Sequence, residues 1–129
     1  MNARHLANQY RQTGVSSAAL DANPHRLIAL MLAGARERAR LAAACLQRGD
    51  LPRKSQAISD ASAIIGGLNG ALNMEAGGDV ADGLQALYDY AQRRLLAANA
   101  DNDAGPLHEV DDLLGDIESA WLAIAPDAT

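Results

Sequence analysis

The sequence has no Phe, one Trp, three Tyr and one Cys in 129 residues. Strands favour aromatic and β-branched side chains, and only nine Ile or Val accompany those four aromatics, so an all-β fold is excluded. The single cysteine, Cys45, cannot form an internal disulfide. With Ala42, Ala43, Ala44 and Leu46 around it, it reads as a small buried side chain. No apolar run approaches the ~20 residues that span a bilayer. The N-terminus lacks the basic, apolar and small-residue order of a signal peptide. Lys and Arg number 11 against 16 Asp and Glu, and a net charge of −5 argues against nucleic acid as a partner. These absences leave a cytoplasmic protein of about one domain.

What fills the apolar half is unusual. Of 63 apolar residues, 28 are Ala and 18 are Leu. These are the best helix formers, so the core is expected to be helical and packed from small side chains.

Charge divides along the chain. Residues 1–54 carry nine Lys or Arg against three acids, a net of +6. Residues 55–129 carry Arg93 and Arg94 against thirteen acids, a net of −11. Such a split can fix which helices pair. Exposed ion pairs are worth only about 0–1 kcal/mol each, so solvated faces of opposite sign are the simpler reading.

Start and stop signals mark four long helices, over about 24–48, 51–74, 79–100 and 106–125. Asn23-Pro24 opens the first, with an apolar stripe through Leu27, Met31, Ala35, Ala39 and Ala42. Gly49-Asp50 separates it from the second, where Ile58, Ala61, Ile65, Leu68 and Leu72 form a heptad seam. Gly77-Gly78 breaks the chain before the third, whose inner face holds Val80, Leu84, Leu87, Tyr88, Ala91 and Leu95. Pro106 opens the fourth, with Leu107, Val110, Leu114, Ile117, Trp121 and Ile124 inward. Short connections make neighbours antiparallel, so residues 23–126 are expected to form an all-α, up-down four-helix bundle. Residues 1–22, with Leu6 and Tyr10 as their main large apolar groups, are expected to be a mobile N-terminal segment.

Chemistry-bearing motifs are absent. No Glu is followed by His three residues later, so a di-iron bundle is disfavoured. His5, His25 and His108 lie far apart near helix ends. No Cys-x-x-Cys, P-loop or Gly-x-Ser-x-Gly occurs. Asp111, Asp112 and Asp116 do not converge on a helix and read as a solvated face. Gly66, Gly67 and Gly70 interrupt the second helix, and Gly34 the first. They mark either close helix approach or a shallow groove for a partner helix. No catalytic residue, cofactor or metal site is expected, and an interaction protein fits better than an enzyme.

The stretch from Gly77 to Asn99 carries Gly77-Gly78-Asp79, Leu87-Tyr88-Asp89-Tyr90, Arg93-Arg94-Leu95 and Ala98-Asn99. It resembles the signature of the FliS family of flagellar secretion chaperones. Tyr10, the run from Ser17 to Leu27, and Leu113-Leu114 followed by Trp121 agree in order. Two features depart from the family's pattern. Leu32 and Ala33 stand where it usually has an aromatic and an acid, and the second helix is rich in Gly.

The resemblance implies a cytoplasmic four-helix bundle that binds the disordered C-terminal segment of flagellin. It would prevent premature polymerisation and assist delivery to the export gate component FlhA, without membrane insertion, as a monomer or weak homodimer. The alternative is a helical adaptor for another amphipathic segment, such as a flagellar gene regulator. Candidate partner contacts are Leu6, Tyr10, Ile58, Ile65, Leu68, Leu72, Leu84 and Tyr90. Tyr88 and Trp121 read as core.

Overall fold

A computed structural model of the chain describes residues 23–124. The N-terminal segment with Leu6 and Tyr10, and residue 125, where the fourth helix is expected to end, lie outside the described residues. Four helices follow in order: α1 (Pro24–Arg48), α2 (Leu51–Gly70), α3 (Met74–Asp101) and α4 (Gly105–Ala123). They pack antiparallel in a square. α1 lies beside α2 and α4, α3 lies beside the same two, and the diagonal pairs are farther apart across the shared core.

Local chemistry explains most of the ends. The Asn23 side chain accepts from Arg26 N–H at 2.8 Å, and Asp50 accepts from Arg53 N–H at 3.2 Å. Both satisfy helix-start donors that would otherwise be orphaned. Gly49 closes α1 at φ +75, a left-handed position that glycine reaches without steric cost. Asn102 closes α3 in the same region at φ +50.

Two boundaries differ from the sequence reading. α2 ends at Gly70 rather than near 74, so Leu72 sits in the connection. α3 starts at Met74 rather than 79, because Asn73 caps it by accepting from Ala76 N–H at 3.1 Å. Gly78 breaks this rod without ending it, since its φ of +50 and ψ of −128 are open to glycine alone. One turn is thus folded ahead of the kink. Gly77 allows the bend to close, because a Cβ there would lie 2.6 Å from Ala81 Cβ.

The core runs through Met31, Leu32, Ala35, Ile64, Ile65, Ala91, Leu95, Val110 and Leu114, all at most 1% exposed. Gly34 and Gly67 are buried as well. Polar contacts clamp the perimeter. Between α2 and α3, Ser62 Oγ and Gln92 Oε1 lie 2.6 Å apart, and Gln92 Nε2 donates to the Ser62 carbonyl at 2.9 Å. Lys54, only 4% exposed, donates to the Asn99 carbonyl, to Asn99 Oδ1 and to Asn102 Oδ1. A buried ammonium is tolerable because its donors are satisfied at the carbonyl end of α3.

The charge split does fix a helix pair. Arg36 donates to Asp111 and Glu118, both at 2.7 Å, and Arg40 donates to Asp111 at 2.9 Å. Basic α1 is thereby bound to acidic α4. Asp111 is therefore not on a solvated face as expected: it is a half-buried carboxylate shared by two arginines. Burial pushes its carboxyl up, but the hydrogen bonds and charges of Arg40 and Arg36 outweigh that and hold it below the usual range.

Candidate partner-binding cleft

The core runs out towards the end where α1 and α3 begin and α2 and α4 finish. In the last ten described residues of α4 and its cap, 115–124, none is buried. From residue 74 to 87 of α3 only Ala81 is buried. Apolar residues continue along both stretches, so they line a space instead of filling one.

That space is a cleft of about 880 Å³. Ile28 and Leu32 come from α1, Leu68 from the end of α2, and Ala71 and Leu72 from its cap and the connection that follows. The first half of α3 gives Ala76, Gly77, Val80, Ala81, Leu84, Leu87 and Tyr88. The second half of α4 gives Leu113, Asp116, Ile117, Ala120, Trp121 and the adjoining Ile124. Asn73 and Asp116 are the polar exceptions. The kink at Gly78 sets the angle of the α3 wall. Tyr88 lies at the boundary with the core, 3% exposed, and burial pushes its phenol up to about 12.

Polar groups tie α4 to α3 towards the loop and to α1 at the open end. Towards the loop, Tyr90 Oη and Arg94 Nε both donate to the Glu109 carboxylate, and the Arg93 guanidinium sits 5.7 Å from the Tyr90 ring centre. The bonds from Tyr90 and then Arg94 hold the Glu109 carboxyl below its ordinary value. At the open end His25 stacks on Trp121, with ring centres 4.5 Å apart and planes 11° from parallel. Trp121 Nε1 donates to the His25 carbonyl at 2.8 Å, and His25 Nε2 lies 3.0 Å from the Trp121 carbonyl. Trp121 thus ties the start of α1 to the end of α4. It is half-buried at the cleft wall and not a core anchor.

The expected partner contacts divide. Leu68, Leu72 and Leu84 line the cleft. Ile58 and Ile65 are not in its lining; they are 4% and 0% exposed in the core. Tyr90 is exposed outside the cleft and bound to Glu109. Val80, expected inward, is 72% exposed on the rim. Ile28, Leu87, Leu113, Ile117, Ala120 and Ile124 were not among the expected contacts. For those on α3 and α4 the signal was an apolar stripe wider than a core needs. The glycines of α2 are not in the cleft lining, and Gly66 faces Gln92, with a Cβ position 3.8 Å from its amide nitrogen.

Among the described residues no three His, Cys, Asp or Glu converge as a metal site, and no helix is long and apolar enough to cross a membrane. An apolar slot between helices, with two polar groups in its lining, can bind an apolar surface of comparable length.

Comparison with known proteins agrees in one direction. The family model for the flagellar protein FliS matches residues 6–128. A flagellar secretion chaperone FliSB of Pseudomonas aeruginosa is 42% identical over 125 residues, covering 97% of this chain and 99% of that protein. The flagellar secretion chaperone FliS of Salmonella typhimurium is 44% identical over 121 residues, covering 93% and 90%. That of Bacillus subtilis is 35% identical over 112 residues, covering 87% and 80%.

Proposed function

The chain belongs to the FliS family of flagellar secretion chaperones, and we propose that its cleft holds the C-terminal segment of flagellin as an amphipathic helix. Its work is binding, not catalysis. The observation that supports this reading is the apolar cleft itself, walled by α3 and α4 where the core stops. A helix with side chains is about 10–12 Å across, so about 880 Å³ accommodates roughly two turns. Three or four large apolar side chains buried there supply roughly 5–10 kcal/mol before costs. Ordering a disordered segment takes back about 2–5 kcal/mol. The balance favours a guest only if it presents a continuous apolar stripe, which is what a polymerising helix withheld from its own partners offers.

On this reading the chaperone acts in the cytoplasm, as a monomer or weak homodimer, blocks early polymerisation and presents its cargo to FlhA. Residues 1–22 join α1 at Asn23, next to the His25–Trp121 pair and within one turn or so of Ile28. We propose that Leu6 and Tyr10 cover the cleft until cargo displaces them. Removal of residues 1–14 should then tighten flagellin binding, and unchanged affinity would refute this role.

The direct test is co-purification with flagellin and with flagellin lacking its C-terminal segment. Val80→Asn combined with Leu87→Asn should abolish the complex while circular dichroism stays unchanged, because both side chains are already exposed. A complex that survives truncation of flagellin, or this double substitution, would place the site elsewhere.

A further inference from the structure

We infer that Asp116 selects a guest helix carrying a Lys or Arg beside its apolar stripe. The inference rests on the cleft reading and adds a chemical requirement to it. Asp116 is the one charged residue in the lining, exposed on α4 between Leu113 and Ala120. Among the described residues it makes no hydrogen bond or ion pair. Of the other four acids on α4, three are engaged, Glu109 with Arg94, Asp111 with Arg36 and Arg40, Glu118 with Arg36, and Asp112 is exposed outside the cleft lining.

The cations that α1 sends towards α4 are committed, Arg36 to Asp111 and Glu118 and Arg40 to Asp111. Between residues 55 and 124 the only Lys or Arg side chains are Arg93 and Arg94. Arg94 is committed to Glu109, and Arg93 lies over the Tyr90 ring. Glu75, Asp79, Asp82 and Asp112, all exposed, add negative charge on the same two helices.

A guest that closes over Asp116 removes water from its carboxylate. That loss is unfavourable unless the guest supplies a compensating donor, and a cation compensates best. Lys and Arg suit the position for a second reason. Their aliphatic stems lie along apolar walls such as Leu113 and Leu87 while the charged head reaches the rim. A guest with Asp or Glu at that register is repelled, so the residue fixes register as well as identity. The surrounding acids act differently, by drawing a basic segment in from a distance.

The test titrates the C-terminal segment of the source bacterium's flagellin into wild-type protein, Asp116→Asn and Asp112→Asn, at low and high salt. Asp116→Asn should weaken binding about three- to tenfold at low salt and flatten the salt dependence. Asp112→Asn lies outside the cleft lining and should change affinity less than about twofold. Gln scanning of the segment's Lys and Arg should find one position whose loss has no further effect in Asp116→Asn. Unchanged or tighter binding by Asp116→Asn overturns the inference alone, as does an equal effect of Asp112→Asn. No binding by wild-type protein overturns the cleft reading, and this inference with it.

Discussion

Replacing Asp111 by Asn removes the charge that two arginines share at the α1–α4 seam. The two contacts are unequal. Arg36 and Asp111 have side chains 24% and 16% exposed, whereas that of Arg40 is 57% exposed. A mostly buried, charge-assisted hydrogen bond contributes about 1.5–3 kcal/mol, and an exposed pair about 0–1 kcal/mol. Asn keeps one acceptor, and Arg36 keeps Glu118 at 2.7 Å, so no charge is stranded. The expected loss is about 1–2 kcal/mol at pH 7, or roughly 3–10 °C in Tm for a chain of this length. The effect has a pH signature. The folded carboxyl lies below its ordinary 3.8, so its stabilisation is complete above that value and lost as pH falls through the folded one. The gap between wild type and Asp111→Asn should be full at pH 6–7 and shrink below about pH 4. Urea unfolding followed by circular dichroism at pH 7, 5 and 3 measures it. Equal stability at pH 7, or a gap undiminished at pH 3, would refute the assignment of this pairing to the α1–α4 seam.

Two further outcomes test the backbone and the buried amine. Gly78→Ala should destabilise by about 1–3 kcal/mol, since φ +50 with ψ −128 suits glycine only, whereas Gly83→Ala, with nothing within 4 Å of its Cβ position, should stabilise by up to about 1 kcal/mol. Denaturant midpoints measure both, and a neutral Gly78→Ala would remove the kink from the account. Lys54→Met strands the Asn99 carbonyl and Asn102 Oδ1, so it should cost about 2–4 kcal/mol and raise hydrogen exchange at the end of α3; unchanged exchange there would refute the clamp.

The quoted motif was legible because most of its side chains have a structural partner. Within it, Leu95 and Ala98 are core, Tyr88 closes the core under the cleft, and Asp89 accepts from Asn69. Tyr90 and Arg94 bind Glu109, and Asn99 receives Lys54. These contacts weld α3 to α2 and α4, which requires several residue types at fixed spacing. The departures at Leu32 and Ala33 also acquire a place. Leu32 is fully buried and touches the cleft wall, so a smaller side chain than an aromatic leaves more room at its base. Ala33 is exposed on the outer side of α1.

Asp111 and Asp116 show where reading the chain alone stopped. Both are aspartates on one helix, five residues apart, and nothing in their sequence neighbourhood separates them. Across the seam, Arg36 and Arg40 reach one and, among the described residues, no cation pairs with the other. Pairing between residues 71 to 75 positions apart depends on how α4 is rotated against α1, and that rotation is settled by packing.

Composition, caps and periodicity determined the helices, their order and the face each turns inward. Those properties depend on residues a few positions apart, so the chain states them locally. Only the tertiary structure decided how far inward each face goes. Ile65 and Leu84 belong to equally good stripes, yet one is sealed and the other lines a cleft. Periodicity gives a side chain's direction around its own axis, not the distance to the opposite helix. Here that distance is set by the Gly78 kink, by the Tyr90–Glu109–Arg94 tie near one end of α3 and α4, and by a core that ends short of the other.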